Sequence, residues 1–261
     1  MKIKKLFLFL APLGAGLATA FFRYQMVERA VDPQTGIATS RGWVYGMGAV
    51  LLVTELLLLA AGLFWGREGR LQEKGPGRGG RLLGTGAALL FLLSGGAYFF
   101  SLAGEGAGAL TVVRAMGALL CGGSLLAWLP AKNKAAEGAR VCMLLPVFYS
   151  AFALLAFYRD NNANPLVYSF AAELFAYIAV MFTLYGAAGF SFGKAKPRLT
   201  LFAGLSSLYL LPAVLCSDSL LPAFTRGHIH FTAGDLLSLG GFFLLCAARL
   251  WELRLPRLEE R

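Results

Sequence analysis

Residues 43–65 read WVYGMGAVLLVTELLLLAAGLFW, an apolar run with one carboxylate, Glu55, near its centre. About 20 apolar residues suffice to cross a hydrocarbon core about 30 Å thick, so the run reads as a transmembrane helix. At 1.5 Å per residue Glu55 lies about 18 Å below Trp43, near the bilayer midplane and far from water on either side. An ionised carboxylate at that depth costs about 3 kcal/mol on insertion scales. Glu55 is therefore expected to face protein or a wet cavity, or else to carry a proton. Gly48 and Gly62 fall on its helical stripe and leave room for a close neighbouring helix.

The same kind of run recurs over 6–22, 82–103, 109–129, 141–158, 166–190, 199–216 and 231–250, giving eight predicted spans. Barrel strands do not fit, because they alternate polar and apolar residues over about ten positions. Helices also satisfy their own backbone polar groups inside lipid. The composition agrees: 57% of residues are hydrophobic and 15% charged, with a mean hydropathy of +0.65. Soluble domains carry about 25% charged residues. The expected fold is an all-α transmembrane bundle, a single integral membrane domain over 1–261 with no soluble domain in its loops.

The formal charge of +10 could suggest a nucleic-acid partner, but the placement of the basic residues argues for membrane topology instead. Lys2, Lys4, Lys5, Arg67, Arg70, Lys74, Arg78, Arg81, Lys132, Lys134, Arg140, Lys194, Lys196, Arg198, Arg249, Arg254, Arg257 and Arg261 fall on one side. The other side holds Arg23, Arg29, Arg41, Arg159 and Arg226, with Arg114 inside a span. Positive loops stay cytoplasmic, so both termini are expected inside. Short loops and the absence of an N-x-S/T sequon suit a bacterial plasma membrane.

Residues 1–20 also fit a cleavable leader ending at Ala18-Thr19-Ala20, which would leave seven spans and the later topology unchanged. Against cleavage, span one ends Ala20-Phe21-Phe22-Arg23 much as span five ends Ala156-Phe157-Tyr158-Arg159. This echo, with Pro12 and Pro146 earlier in each span, suggests a parallel repeat of 1–130 and 141–255, an arrangement some transporters use.

Several motifs carry no chemistry. The run Gly75-Pro76-Gly77-Arg78-Gly79-Gly80 lacks the preceding strand that a phosphate-binding loop needs, so it reads as a flexible, solvated basic loop. Cys121, Cys142, Cys216 and Cys246 have no metal or redox spacing and read as small packing residues. The pairs Gly95-Gly96, Gly122-Gly123 and Gly240-Gly241 read as helix-packing sites. His228 and His230, in the polar stretch 217–230, are the weak candidates for a metal. A two-residue spacing aligns only on extended chain and no third ligand has a diagnostic spacing, so neither metal nor cofactor is expected.

Three further charges lie inside spans. Glu173 sits about 10 Å from the outer end of its span, Arg114 about 8 Å and Asp235 about 6 Å, so all share one outer layer. Ser169 and Tyr177 can share the face of Glu173. A guanidinium in that layer cannot shed its proton, so Arg114 is expected to pair with Glu173 or Asp235. The bland alternatives are structural ion pairs and snorkelling to the interface.

Transport is favoured: Arg114, Glu173, Tyr177 and Asp235 would receive a small polar or ionic solute, with Glu55 coupling protons. The alternative is a non-catalytic accessory subunit or sensor with a membrane or cytoplasmic protein partner. An intramembrane enzyme acting on a lipid or peptide is least favoured, because no nucleophile, metal triad or phosphate clamp is present. HExxH, GxSxG, paired Asp-rich motifs, intramembrane histidine pairs and intramembrane lysines are all missing.

Overall fold

The computed structural model describes residues 2–30, 39–66, 72–73, 77–105, 108–129, 137–162, 167–221 and 231–254. Among these are α1 (Lys2–Ala30), α2 (Arg41–Trp65), α3 (Arg78–Glu105), α4 (Ala109–Trp128), α5 (Glu137–Asn161), α6 (Val167–Ser191), α7 (Pro197–Leu215) and α8 (Ala233–Glu252). A π-helical turn, Cys216–Leu220, prolongs α7. Seven of the helices, α2 to α8, are long and apolar enough to cross a membrane. In α1 the apolar run ends at Arg23, although the helix continues to Ala30.

Local chemistry marks several helix ends. Pro197 opens α7, where its missing N–H costs nothing. Thr232 caps α8 by accepting from the Asp235 backbone N–H. Between α6 and α7 the chain reverses through Gly193, whose φ of 68° is a left-handed conformation that side chains disfavour.

Helices α3, α4, α5, α6, α7 and α8 pack in that order, and α8 closes the ring against α3. Its interior is filled by aromatic rings from four helices. Phe91 of α3 meets Phe242 of α8 at 5.0 Å and Tyr149 of α5 at 5.8 Å, while Tyr177 of α6 lies 6.5 Å from Phe242. Helices α1 and α2 pack outside this ring, against each other and against α7. That makes α7 the most enclosed span, with 78% of it buried, and α2 the least, with 17%. Leu52, Val53, Leu56, Leu57 and Phe64 of α2 are exposed, as suits a helix bathed in lipid.

Close crossings use one glycine of each expected pair. Gly95 faces Leu119, Gly122 faces the Ala88 carbonyl and Gly241 faces Phe91, whereas Gly96 and Gly123 meet nothing and Gly240 only the tip of Leu90. Adjacent helical residues point about 100° apart, so one neighbour can engage only one of the two. On α2 the stripe also divides: Gly62 abuts Phe202 of α7 and Gly48 is open.

Two expectations about the other end of the bundle are corrected. Arg78, Gly79 and Gly80, read as part of a flexible loop, instead open α3 with the two glycines against Trp251 and Glu252, and just before that run β1 (Gln72–Glu73) pairs antiparallel with β2 (Leu253–Arg254). Arg249, counted among the solvated basic residues, is instead buried, bonded to Glu252 at 2.9 Å and stacked 3.9 Å over Trp128. Both follow from α8 continuing to Glu252, which carries its last turn inside the bundle.

Gly16 sets the seat of α1. A side chain there would strike the backbone carbonyl of Tyr209 in α7, while one at Gly14 would meet nothing. Gly16→Leu is expected to lose about 1–3 kcal/mol by overpacking, and Gly14→Leu to stay within about 0.5 kcal/mol of the parent. Thermal unfolding in detergent distinguishes them.

Candidate functional site

The buried face of α1 repeats with helical period through Gly16, Thr19, Ala20, Arg23, Met26 and Ala30. Thr19 on this face meets the Tyr209 hydroxyl at 3.0 Å. One turn further on, Arg23 points into the bundle with its side chain only 5% exposed. It donates through Nη2 to Glu173 Oε1 at 2.6 Å and through Nη1 to Asp218 Oδ2 at 2.8 Å. The Ser217 hydroxyl adds a 3.0 Å bond to Asp218 Oδ1. Glu173 and Asp218 are themselves 7% and 13% exposed. The α7 end delivers Asp218 to this point. Pro212 has no N–H to bond within the helix, and the π-turn begins at Cys216, whose N–H bonds the carbonyls of Pro212 and Ala213.

A second polar group sits at the same end of the bundle. Asp235 accepts from the Tyr98 hydroxyl at 2.6 Å and from Thr232 at 2.6 Å. Since Thr232 also accepts from the Asp235 N–H, one oxygen of Asp235 serves a helix cap. Arg114 pairs with Asp160 at the rim, where Asp160 is 44% exposed. Beneath it, the Tyr149 hydroxyl bonds Ser238 at 2.8 Å, and Ser238 bonds Ser94 at 2.7 Å. Tyr177 is fully enclosed and lies within electrostatic reach of Asp235, Tyr149, Arg114 and Glu173, members of both groups.

The four charges singled out in the sequence are thus divided three ways. Glu173 takes Arg23, a residue read from sequence as part of a solvated outer loop. Arg114 takes Asp160 as its ion-pair partner, with Asp235 nearby. Depth along a helix specifies a layer but not a direction around the axis, which is why the expected ion pair of Arg114 with Glu173 or Asp235 gives way to one with Asp160. Glu55 lies apart from both groups, half-buried on the α2–α7 seam, where Ser206 donates to its Oε2 at 2.6 Å. Its other oxygen has no hydrogen-bond partner among the described residues. The expected sharing of a face by Glu173 and Tyr177 holds, since both are buried. His228 and His230 lie outside the described residues.

Sequence reasoning missed Arg23, Asp218, Tyr98 and Tyr149. For Arg23 a signal existed: the small-residue stripe Gly16, Thr19 and Ala20 runs directly into it. Asp218 offered none, because its inward direction depends on the π-turn.

Removing Arg23 would strand two buried carboxyl groups, whereas removing Arg114 would leave a partner that water reaches. Arg23→Met is expected to cost about 3–5 kcal/mol. Arg114→Met is expected to cost about 1 kcal/mol or less. Melting temperatures of the two purified variants measure the contrast. No family model matches this chain, nor does any curated protein or solved structure, so the chemistry of these side chains carries the functional reading.

Proposed function

We propose that the protein moves a small polar or ionic solute across the bilayer, by proton-coupled or facilitated transport. The observation that supports this reading is the convergence of Tyr98, Arg114, Tyr149, Tyr177 and Asp235, from five different helices, in one layer within an apolar bundle. Packing glue between two helices requires one or two polar side chains; a carboxylate, a guanidinium and three phenols brought together can bind a solute with both donors and acceptors. Tyr177 and Asp235 are the substrate-binding residues of this reading, with Arg114 and Asp160 at the mouth.

In the same reading α1 is an eighth crossing, both termini are cytoplasmic as the basic residues imply, and the membrane is a bacterial plasma membrane. The polar layer then opens to the outside. Glu55 serves the α2–α7 seam, because Ser206 donates to it and neither polar group reaches it.

One observation favours the alternative of an accessory or sensing subunit. Helix α2 presents a long apolar face, from Leu52 to Phe64, against which another membrane protein could pack.

Purified protein in liposomes, assayed by solid-supported-membrane electrophysiology against amino acids, sugars, amines and inorganic ions, tests transport. At least one class is expected to evoke a current. Asp235→Asn and Tyr177→Phe should each cut it on the order of tenfold or more, while Glu55→Gln leaves it near parental. Silence across the panel, together with stoichiometric co-purification of a membrane partner, would establish the accessory role instead.

A further inference from the structure

We propose that Glu173 and Asp218 hold one proton between them and form the proton-binding site of this protein. The use of that proton in coupling rests on the transport reading; its presence does not.

Three observations carry the proposal. The first is charge. Among the described residues one guanidinium, Arg23, faces two carboxyl groups, and all three side chains are at least 87% removed from solvent by the exposures of 5%, 7% and 13%. With both carboxylates ionised the triad would hold a surplus negative charge; with one proton it is neutral, the state a low-dielectric layer favours. The second is proximity. Both carboxyl groups bond the same guanidinium through its two neighbouring Nη atoms, and like charges held that close repel each other.

The third is the fate of the four carboxylate oxygens. Arg23 donates to Glu173 Oε1 and Asp218 Oδ2, and Ser217 to Asp218 Oδ1. Among the described residues Glu173 Oε2 is buried and accepts no hydrogen bond. A bare buried acceptor of this kind is costly; as an O–H, when the pair holds its proton, it has the neighbouring Asp218 carboxylate as its acceptor. The Ser219 hydroxyl, on the same π-turn as Asp218, is likewise buried without a partner among the described residues.

Among the described residues few other titratable groups face the pair. On α1 the next residue, Tyr24, turns to the surface and donates to Glu28 at 3.0 Å. Tyr177 lies one turn along α6 from Glu173 and within electrostatic reach of Asp235 and Arg114 as well. Arg159 and Asp160 of α5 and Arg41 and Tyr45 of α2 are exposed. Cys216, on the same turn as Asp218, is half-buried. Asp218 is the most exposed member of the triad, so the proton enters and leaves through it. Loss of the proton would set the two carboxylates against each other, and the π-turn carrying Asp218 is the element free to respond, as such turns often do at functional sites.

Infrared spectra of the full chain in phosphatidylcholine liposomes at neutral pH read the protonated carboxyl band, identified by its shift in heavy water. Subtracting Glu173→Gln or Asp218→Asn from the parent should reveal the same single band, and the double variant should lose no more than either single one. The single variants should fold with melting temperatures near the parent, because an amide reproduces the charge of the protonated pair, and their melting should lose its pH dependence. Absence of the band from both differences overturns the proposal, as does a double variant losing twice the intensity or an unfolded pair of single variants. A sodium-dependent melting temperature without the band would assign the surplus charge to a bound cation and overturn it equally. The band without any transport removes only the transport reading, and transport without the band removes only the proton site.

Discussion

Hydrocarbon cannot solvate an ion, so a charge inside this bundle persists only where another side chain replaces water, and Arg23 is where that constraint organises the most structure. Its planar guanidinium presents separate N–H groups to Glu173 and Asp218, which a lysine could not match. Those two bonds join α1, α6 and the end of α7. They also explain why α1 belongs to the bundle although it lies outside the ring of six helices: its small residues fit against α7 and its arginine satisfies charges that the ring cannot satisfy alone.

Within the ring, aromatic packing and polar chemistry share the same helices at different heights. Phe91, Tyr149, Tyr177 and Phe242 fill the middle with edge-to-face and stacked rings. The phenols among them carry hydroxyl groups toward Ser238, Asp235 and the arginine layer. A tyrosine thus serves as packing along its ring and as a hydrogen-bonding group at its tip. Tyr177 joins the aromatic core to both charged groups, which is why the transport and proton proposals converge on α6.

The candidate site was legible in part. The i to i+4 relation of Glu173 and Tyr177 put both on one inward face, and it holds because a helix has a fixed period. The partners of these residues were not legible. Arg23 and Asp218 sit where hydropathy falls off, so each reads as the beginning of a solvated loop; helix continuation to Ala30 and the π-turn after Leu215 bring them inside. Arg249 follows the same pattern at the opposite end, since α8 runs on to Glu252. In each case a helix continued past its apolar run.

Length and hydrophobicity of each run, which depend only on neighbours along the chain, were enough to specify an all-helical protein with apolar helices of membrane-crossing length. The chain order of those helices also places alternate helix ends together, so the charges near one end of the bundle could be anticipated as a layer. Which charges meet within it was decided by tertiary packing. Rotation of each helix about its axis is set by the fit of glycines and rings against neighbours, and sequence spacing carries no record of that rotation between one helix and the next.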